Sequence, residues 1–204
     1  NASASILFLA VAFNSGAPPA SPTATWHGDA MTRLFVQTTT YQSTALFYIA
    51  TPDIGNYNFV VTSDTANVAA VCASYSGGTT VDTPASAVGT GTKVRSGNIS
   101  GEVGDLIVGC AGCNDASLAE DGAAATERGY SNYGPDVSVS LVDIASAATK
   151  DLGWTASASI GWGAGGVNVN ITAGGASYTA SGALTQSGAI SRRLALKRSQ
   201  SGVF

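Results

Sequence analysis

Three cysteines come closest to a chemical site in this sequence. Cys110 and Cys113 form a CxxC pair, and Cys72 stands alone. A structural zinc site takes four ligands, usually cysteine or histidine, whereas the chain has one histidine, His27. A thioredoxin-like pair belongs near a βαβ unit, which this sequence does not predict. We therefore expect buried cysteines on strands and no metal or redox site, with a disulfide between two of the three as the alternative.

His27 is the one imidazole that could act as a general base. It precedes Gly28 and Asp29, which resembles half of a catalytic triad, but a single histidine at a turn is far more often a surface residue. The sequence contains no phosphate-binding loop, HExxH motif, nucleophile elbow or calcium-loop pattern. Its aspartates form no D-x-D-x-D cluster. The sequence therefore predicts no enzyme, no catalytic residue, no cofactor and no metal.

Two groups of residues are candidates for contact with glycans. Aromatic rings stack on sugars when exposed, although tryptophans in β-proteins more often lie in the core. The candidate rings are Tyr130, Tyr133, Trp154 and Trp162. N-x-S/T sequons accept glycans only where the glycosylation machinery exists, and a chain rich in Ser and Thr contains such triplets by chance. The sequons lie at Asn1, Asn98 and Asn170, of which Asn98 and Asn170 are the candidate glycosylation sites.

The composition predicts a globular protein with a surface poor in charge. Charged residues make up 11% of the 204 residues, against about 25% in typical domains. Such a surface suits a protein that packs against copies of itself or lies outside the cell. The net charge of −4 gives no reason to expect a nucleic-acid partner. The apolar run at residues 6–13 is far shorter than the ~18 residues of a membrane span, so no span is expected.

The charge is unevenly distributed along the chain. Residues 1–151 hold five basic and all 13 acidic residues, a net charge of −8, whereas the remainder holds four basic residues and a net charge of +4. Ile190, Leu194 and Leu196 share one face of an extended chain, and Arg193 and Lys197 lie on the other. This pattern favours a strand, with a short helix as the alternative. The tail is either frayed and solvated or docked on an acidic surface. The residues concerned are Ile190, Arg192, Arg193, Leu194, Leu196, Lys197 and Arg198.

A hairpin at residues 45–62 is the predicted centre of the fold. Two runs rich in β-branched and aromatic residues flank a segment with Pro52 and Gly55, which are typical turn residues. A third run at 67–76 follows, so we expect three consecutive antiparallel strands. The run at 5–13, which is apolar from Ile6 onward, predicts a strand buried on both faces.

The remaining patterns predict about ten to twelve short strands and no convincing amphipathic helix. Residues 79–91 and 112–135 read as loops, and the second is expected to be exposed and to carry partner contacts. A helical turn is possible at 145–150, and a hairpin pair is expected at 154–171. The other expected strands lie at 23–26, 31–38, 93–99, 106–111, 137–144 and 177–184. The predicted fold class is all-β, an antiparallel, jelly-roll-like β-sandwich over residues 1–185, followed by a basic strand or tail at 186–204.

Four structural motifs follow one another along residues 6–110: ILFLAVAF at 6–13, ATWHGDAMT at 24–32, LFYI at 46–49 with Pro52 and Gly55, and GDLIV at 104–108. In these motifs the chain resembles a β-sandwich domain found in uncharacterised bacterial surface proteins and phage structural proteins. The resemblance is carried by structural motifs, and a strand around Trp154 extends it. It implies a sandwich fold and an extracellular, cell-surface or virion-surface setting. Similar domains have a further strand before the run at residue 6, so we expect that strand to be missing here. The first residue is Asn rather than Met, which predicts an endoproteolytic cut, with a start set by how the chain was expressed as the alternative.

The expected function is that of a non-enzymatic structural subunit, either of a self-assembling surface fibre or of a virion surface. The expected partners are copies of the same chain, joined by a tail strand that completes a neighbour's sheet. A carbohydrate-binding or adhesive module is the alternative, with glycans as its partners. An enzyme is the least favoured of the three functions.

Overall fold

The computed structural model describes residues 5–14, 21–53, 57–63, 67–121, 125–134, 136–146, 148–171, 177–187 and 192–194. The described residues contain no helix and form 16 strands, all paired antiparallel. The strands are β1 (Ser5–Asn14), β2 (Thr23–Trp26), β3 (Asp29–Ala30), β4 (Thr32–Thr38), β5 (Gln42–Ala50), β6 (Phe59–Thr62), β7 (Asn67–Ser76), β8 (Gly78–Val81), β9 (Ala85–Ile99), β10 (Leu106–Asn114), β11 (Leu118–Glu120), β12 (Thr126–Tyr133), β13 (Val137–Ala145), β14 (Lys150–Ile171), β15 (Ser177–Ser187) and β16 (Arg192–Leu194).

The strands form three sheets. Sheet A has the order β15-β7-β1-β5-β4, and sheet B has the order β16-β6-β2-β3. Sheet C has the order β11-β14-β10-β13-β12, with β8 and β9 also paired to β14. The predicted all-β antiparallel sandwich is confirmed, although the strands exceed the predicted ten to twelve. The jelly-roll topology stays a prediction.

Strand β1 lies at the centre of sheet A and is buried on both faces, as predicted. Neighbouring side chains on a strand point to opposite faces. Phe8 and its even-numbered neighbours therefore pack in the core shared with sheet C, whereas Leu9 and the odd-numbered ones pack in the core shared with sheet B. Because both faces are covered, every position of the run must be apolar.

A third hydrophobic core covers the outer face of sheet C. Strands β9 and β14 are long, and their pairing register shifts between Thr155 and Ile160. On the N-terminal side of this shift β14 carries Trp154, which is fully buried in the third core. The packing around Gly166 is close, because a Cβ there would lie 2.7 Å from both the Ile99 Cδ1 and the Val108 carbonyl oxygen of the neighbouring strand β10.

The expected central hairpin is wrong. Strand β5 pairs with β1 and β4, whereas β6 pairs with β2 and β16 in a different sheet. The connection at 51–58 is long enough to carry the chain from sheet A to sheet B. The third strand, β7, pairs with β1 on the side opposite β5. Strand β1 therefore has neighbours on both sides, and the missing strand expected before it in the sequence stays a prediction.

Several expected loops and turns are strands instead. The loop at 112–135 contains the end of β10 together with β11 and β12, and the loop at 79–91 contains the end of β8 and the start of β9. The expected hairpin at 154–171 is part of the continuous β14, whose glycines serve close packing rather than a turn. No helical turn occurs among the described residues of 145–150. Small and polar residues are typical of loops, but in this protein they allow strands to pack closely.

Candidate functional site

The tail strand β16 pairs with β6 of its own chain. Arg192, Arg193 and Leu194 lie opposite Val61, Val60 and Phe59. Ile190, Leu196, Lys197 and Arg198, the other predicted assembly residues, lie outside the described residues. The predicted domain boundary at 185/186 falls inside β15.

Strand β6 joins the tail to the core of the protein. The Phe59 and Val61 side chains are 1% and 5% exposed, and they pack in the core between sheets A and B together with Trp26. Strand β2 pairs with one edge of β6 and β16 with the other. Because an unpaired strand edge attracts another strand, the β6 edge is an acceptor that the chain's own tail occupies here.

The CxxC pair does not form a joint site. Cys110 lies in the core between sheets A and C, and Cys113 lies in the core on the outer face of sheet C. The separation is a consequence of strand geometry, since residues three apart point to opposite faces. Burial raises the pKa of Cys113 to about 12, with a further contribution from the Asp115 charge, and burial also raises the pKa of Cys110. The expected buried-strand cysteines are confirmed at these two positions.

His27 lies at an exposed turn between β2 and β3, as predicted. Its ring stacks on Tyr57 at 3.7 Å between centroids, and its Nδ1 lies 2.9 Å from the Asp53 Oδ2. The Trp26 indole also donates a hydrogen bond to the Asp53 carbonyl. The side chains of His27 and Asp53 are 46% and 57% exposed. These contacts join the β2–β3 turn to the segment after β5. The contact between His27 and Asp53 is therefore explained by its role in holding this turn in place.

The aromatic candidates for sugar stacking are not exposed. Trp154 and Trp162 are 0% and 8% exposed, and Tyr130 and Tyr133 are half-buried. The Tyr130 hydroxyl is also held by a 3.0 Å hydrogen bond to the Ser138 hydroxyl. These four rings therefore do not form an exposed stacking platform.

The two candidate glycosylation sites differ in their surroundings. Asn98 is exposed on β9. In contrast, the Asn170 side-chain nitrogen donates hydrogen bonds to the Thr80 hydroxyl at 3.0 Å and to Asp82 at 2.9 Å. Since that nitrogen is the atom a glycan would modify, Asn98 is the better placed acceptor.

A polar cluster at one end of sheet C was missed by sequence reasoning. We call it the Asn168 cluster: Asp82, Asp105, Asn168 and Asn170. The Asn168 Nδ2 donates to one carboxylate oxygen of Asp82 at 2.9 Å and to one of Asp105 at 2.8 Å. Asp105 also accepts the Ile171 backbone N–H. The one sequence signal was two asparagines alternating with valines at 167–170.

No protein-family model matches the chain, and neither a curated protein nor a solved structure matches it. The resemblance to a domain of surface and phage proteins therefore stays a prediction. In the described part of the chain, no helix is long and apolar enough to cross a bilayer. The described residues also contain no group of three or more His, Cys, Asp or Glu arranged to hold a metal.

Proposed function

We propose that this protein is a non-enzymatic structural subunit that assembles with copies of itself at a cell or virion surface. The observation that carries the proposal is the pairing of the tail strand β16 with the edge of β6. This edge accepts an antiparallel strand. A tail from a neighbouring copy would make the same backbone ladder as the chain's own tail.

The charge distribution favours this exchange. The tail carries four basic residues and follows a body with a net charge of −8, so it is attracted to a neighbour's body as well as to its own. The attraction weakens as salt screens it. Head-to-tail donation is a heterologous contact, which produces a ring or a filament rather than a two-fold dimer.

The surface composition supports an assembled, extracellular setting. With charged residues at 11%, the chain relies little on charge repulsion to stay apart from its copies. Charged side chains are one of the devices that keep exposed strand edges from pairing with another chain, and this chain has few of them.

Removal of the tail tests the proposal. Deletion of residues 188–204 leaves β15 complete and removes β16. The particle mass is then compared with that of the full chain by mass photometry and by sedimentation at higher concentration. We expect assemblies of the full chain and monomers of the truncated chain. Assembly that survives the deletion would end the proposal.

A crosslinking experiment distinguishes tail exchange from a tail that stays on its own body. Val60 and Arg193 are directly opposite in the β6–β16 ladder. One chain carries Val60→Cys and another carries Arg193→Cys, and the two are mixed before mild oxidation. Exchange predicts a disulfide-linked pair that forms in the mixture and not with either variant alone. A crosslink found only within one chain bearing both substitutions would contradict exchange.

A further inference from the structure

The first half of strand β9 forms an open edge of sheet C. Residues 85–91 pair with β14 without a register shift, from Ala85 opposite Gly166 to Gly91 opposite Ile160. Among the described strands, none pairs with the other side of this segment. On that side its backbone N–H and C=O groups are therefore available for a ladder with a further strand.

The other sheet edges in the described part of the chain carry features that discourage such pairing. Strand β4 has a bulge beside the exposed Arg33, and β12 has one beside Glu127 and Arg128. Strand β15 lies against β12, and β3, β11 and β16 have only two or three residues each. Bulges, charges, cover and short length all protect a strand edge. In contrast, residues 83–92 contain no charged residue.

The open edge has an exposed apolar midpoint and oppositely charged ends. Val88, at the centre of residues 85–91, is 47% exposed. Asp82 precedes the segment, and Lys93 and Arg95 follow it, and all three are exposed. A strand with one acidic and one basic end is complementary in charge to the same strand running in the opposite direction.

We propose that this edge binds the β9 edge of a second copy of the chain, antiparallel and across a two-fold axis at Val88. A two-fold contact uses the same surface on both chains, and main-chain hydrogen bonds stabilise strand addition of this kind. With Val88 on the axis, the two Val88 side chains lie side by side, and Ser86 of each chain lies opposite Thr90 of the other. The acidic end of each segment then lies beside the basic end of its mate.

This contact goes beyond the tail exchange proposed above and does not depend on it. Tail donation is head-to-tail, whereas the two-fold β9 contact closes at two chains. The segment contributes seven residues per chain, fewer than the roughly 20–30 of a standard interface, so the dimer should be weak, with a Kd above about 1 μM. At high concentration the contact adds at most a second chain to the tail-deleted protein, and larger assemblies report on the tail.

Cysteine crosslinking in the full-length chain tests the edge. At about 100 μM, well above the lower bound on the Kd, Val88→Cys should form a linked dimer on mild oxidation, because opposed positions of a ladder lie within disulfide reach. Val103→Cys is the matched control, since Val103 is 85% exposed and lies outside β9. We expect Val88→Cys to link roughly tenfold faster or more, because the contact raises the effective concentration of the two thiols. The unaltered chain corrects for the native cysteines.

A mixing experiment tests the register of the contact. Ser86→Cys and Thr90→Cys should link rapidly when mixed, and each alone should link no faster than Val103→Cys, because two copies of either position lie about four residues, roughly 13 Å, apart along the ladder. Val88→Cys that links no faster than Val103→Cys would overturn the proposal. A mixture that links no faster than its separate components would also overturn it. If Ser86→Cys fails to fold, Val88→Cys carries the test, because Val88 is exposed.

Discussion

Replacement of Arg128 with methionine should strongly destabilise the protein. Arg128 lies at a β-bulge of β12 between Glu127 and Gly129, and its Nε lies 2.5 Å from the Asp143 Oδ2. The Asp143 side chain is 3% exposed, so its charge depends on protein groups rather than on water. Methionine keeps much of the apolar volume and removes the positive charge.

The structure sets the size of the effect. Removal of one partner of a buried ion pair costs about 3–5 kcal/mol, because the other charge stays buried and uncompensated. The Arg128 side chain is 26% exposed, so water can partly reach the vacated space. We therefore expect a loss near the lower end, about 3 kcal/mol, from a total stability that is typically about 5–15 kcal/mol.

Arg95→Met is the matched control. Arg95 pairs with Asp121 at 3.3 Å, and the two side chains are 44% and 32% exposed. An exposed pair of this kind contributes at most about 1 kcal/mol. Urea denaturation of both variants measures the difference in the free energy of unfolding.

A double variant tests the reason for the loss. Arg128→Met combined with Asp143→Asn should recover most of the stability lost in Arg128→Met, because no buried charge remains. Equal losses in Arg128→Met and Arg95→Met would refute this reasoning. So would a double variant that is no more stable than Arg128→Met.

Three further predictions follow from burial, hydrogen bonding and packing. At pH 8, iodoacetamide should modify the half-buried Cys72 in the folded chain and spare Cys113, whose raised pKa keeps the thiol protonated; equal modification of both would contradict this. In a host that glycosylates secreted proteins, peptide mass spectrometry should find a glycan on the exposed Asn98 and none on Asn170, and a glycan on Asn170 alone would contradict this. Gly166→Ala should lower the free energy of unfolding by about 1–3 kcal/mol, because the added Cβ would lie 2.7 Å from a backbone oxygen, and an unchanged urea midpoint would contradict it.

The sequence predicted where strands lie better than which strands pair. The run around Phe8 was placed correctly because burial on both faces demands an apolar residue at every position. The pairing at 45–62 was wrong because the alternation of side chains shows which face is buried and not which strand is the neighbour. The strands at 118–133 were missed because their small residues, such as Gly129, which approaches Val71 closely, also fit a loop.

The Asn168 cluster could not have been predicted from local patterns. Asp82 and Asp105 are 86 and 63 positions from Asn168 in the sequence, and only the pairing of β8 and β10 with β14 brings them together. The CxxC pair shows the opposite case. These two residues are close in sequence, and strand geometry places Cys110 and Cys113 in different cores.

The order in which strands become available bears on the proposed assembly. Strand β15 pairs with β7 across more than one hundred residues, and β16 pairs with β6 across a still longer separation. Contacts between residues this far apart in sequence form slowly. Closing the intervening chain costs conformational entropy before the hydrogen-bonded ladder can stabilise the pairing. The β6–β16 ladder has the longest sequence separation among the paired strands of the described residues, so we expect the β6 edge to be paired late and to be open until then to a tail from its own chain or a neighbour. High local concentration at a surface would favour the neighbour, since donation between chains rises with concentration and closure within one chain does not. Assembly should therefore depend on the concentration at which the chain folds, and refolding at high dilution should yield monomers with their own tails in place.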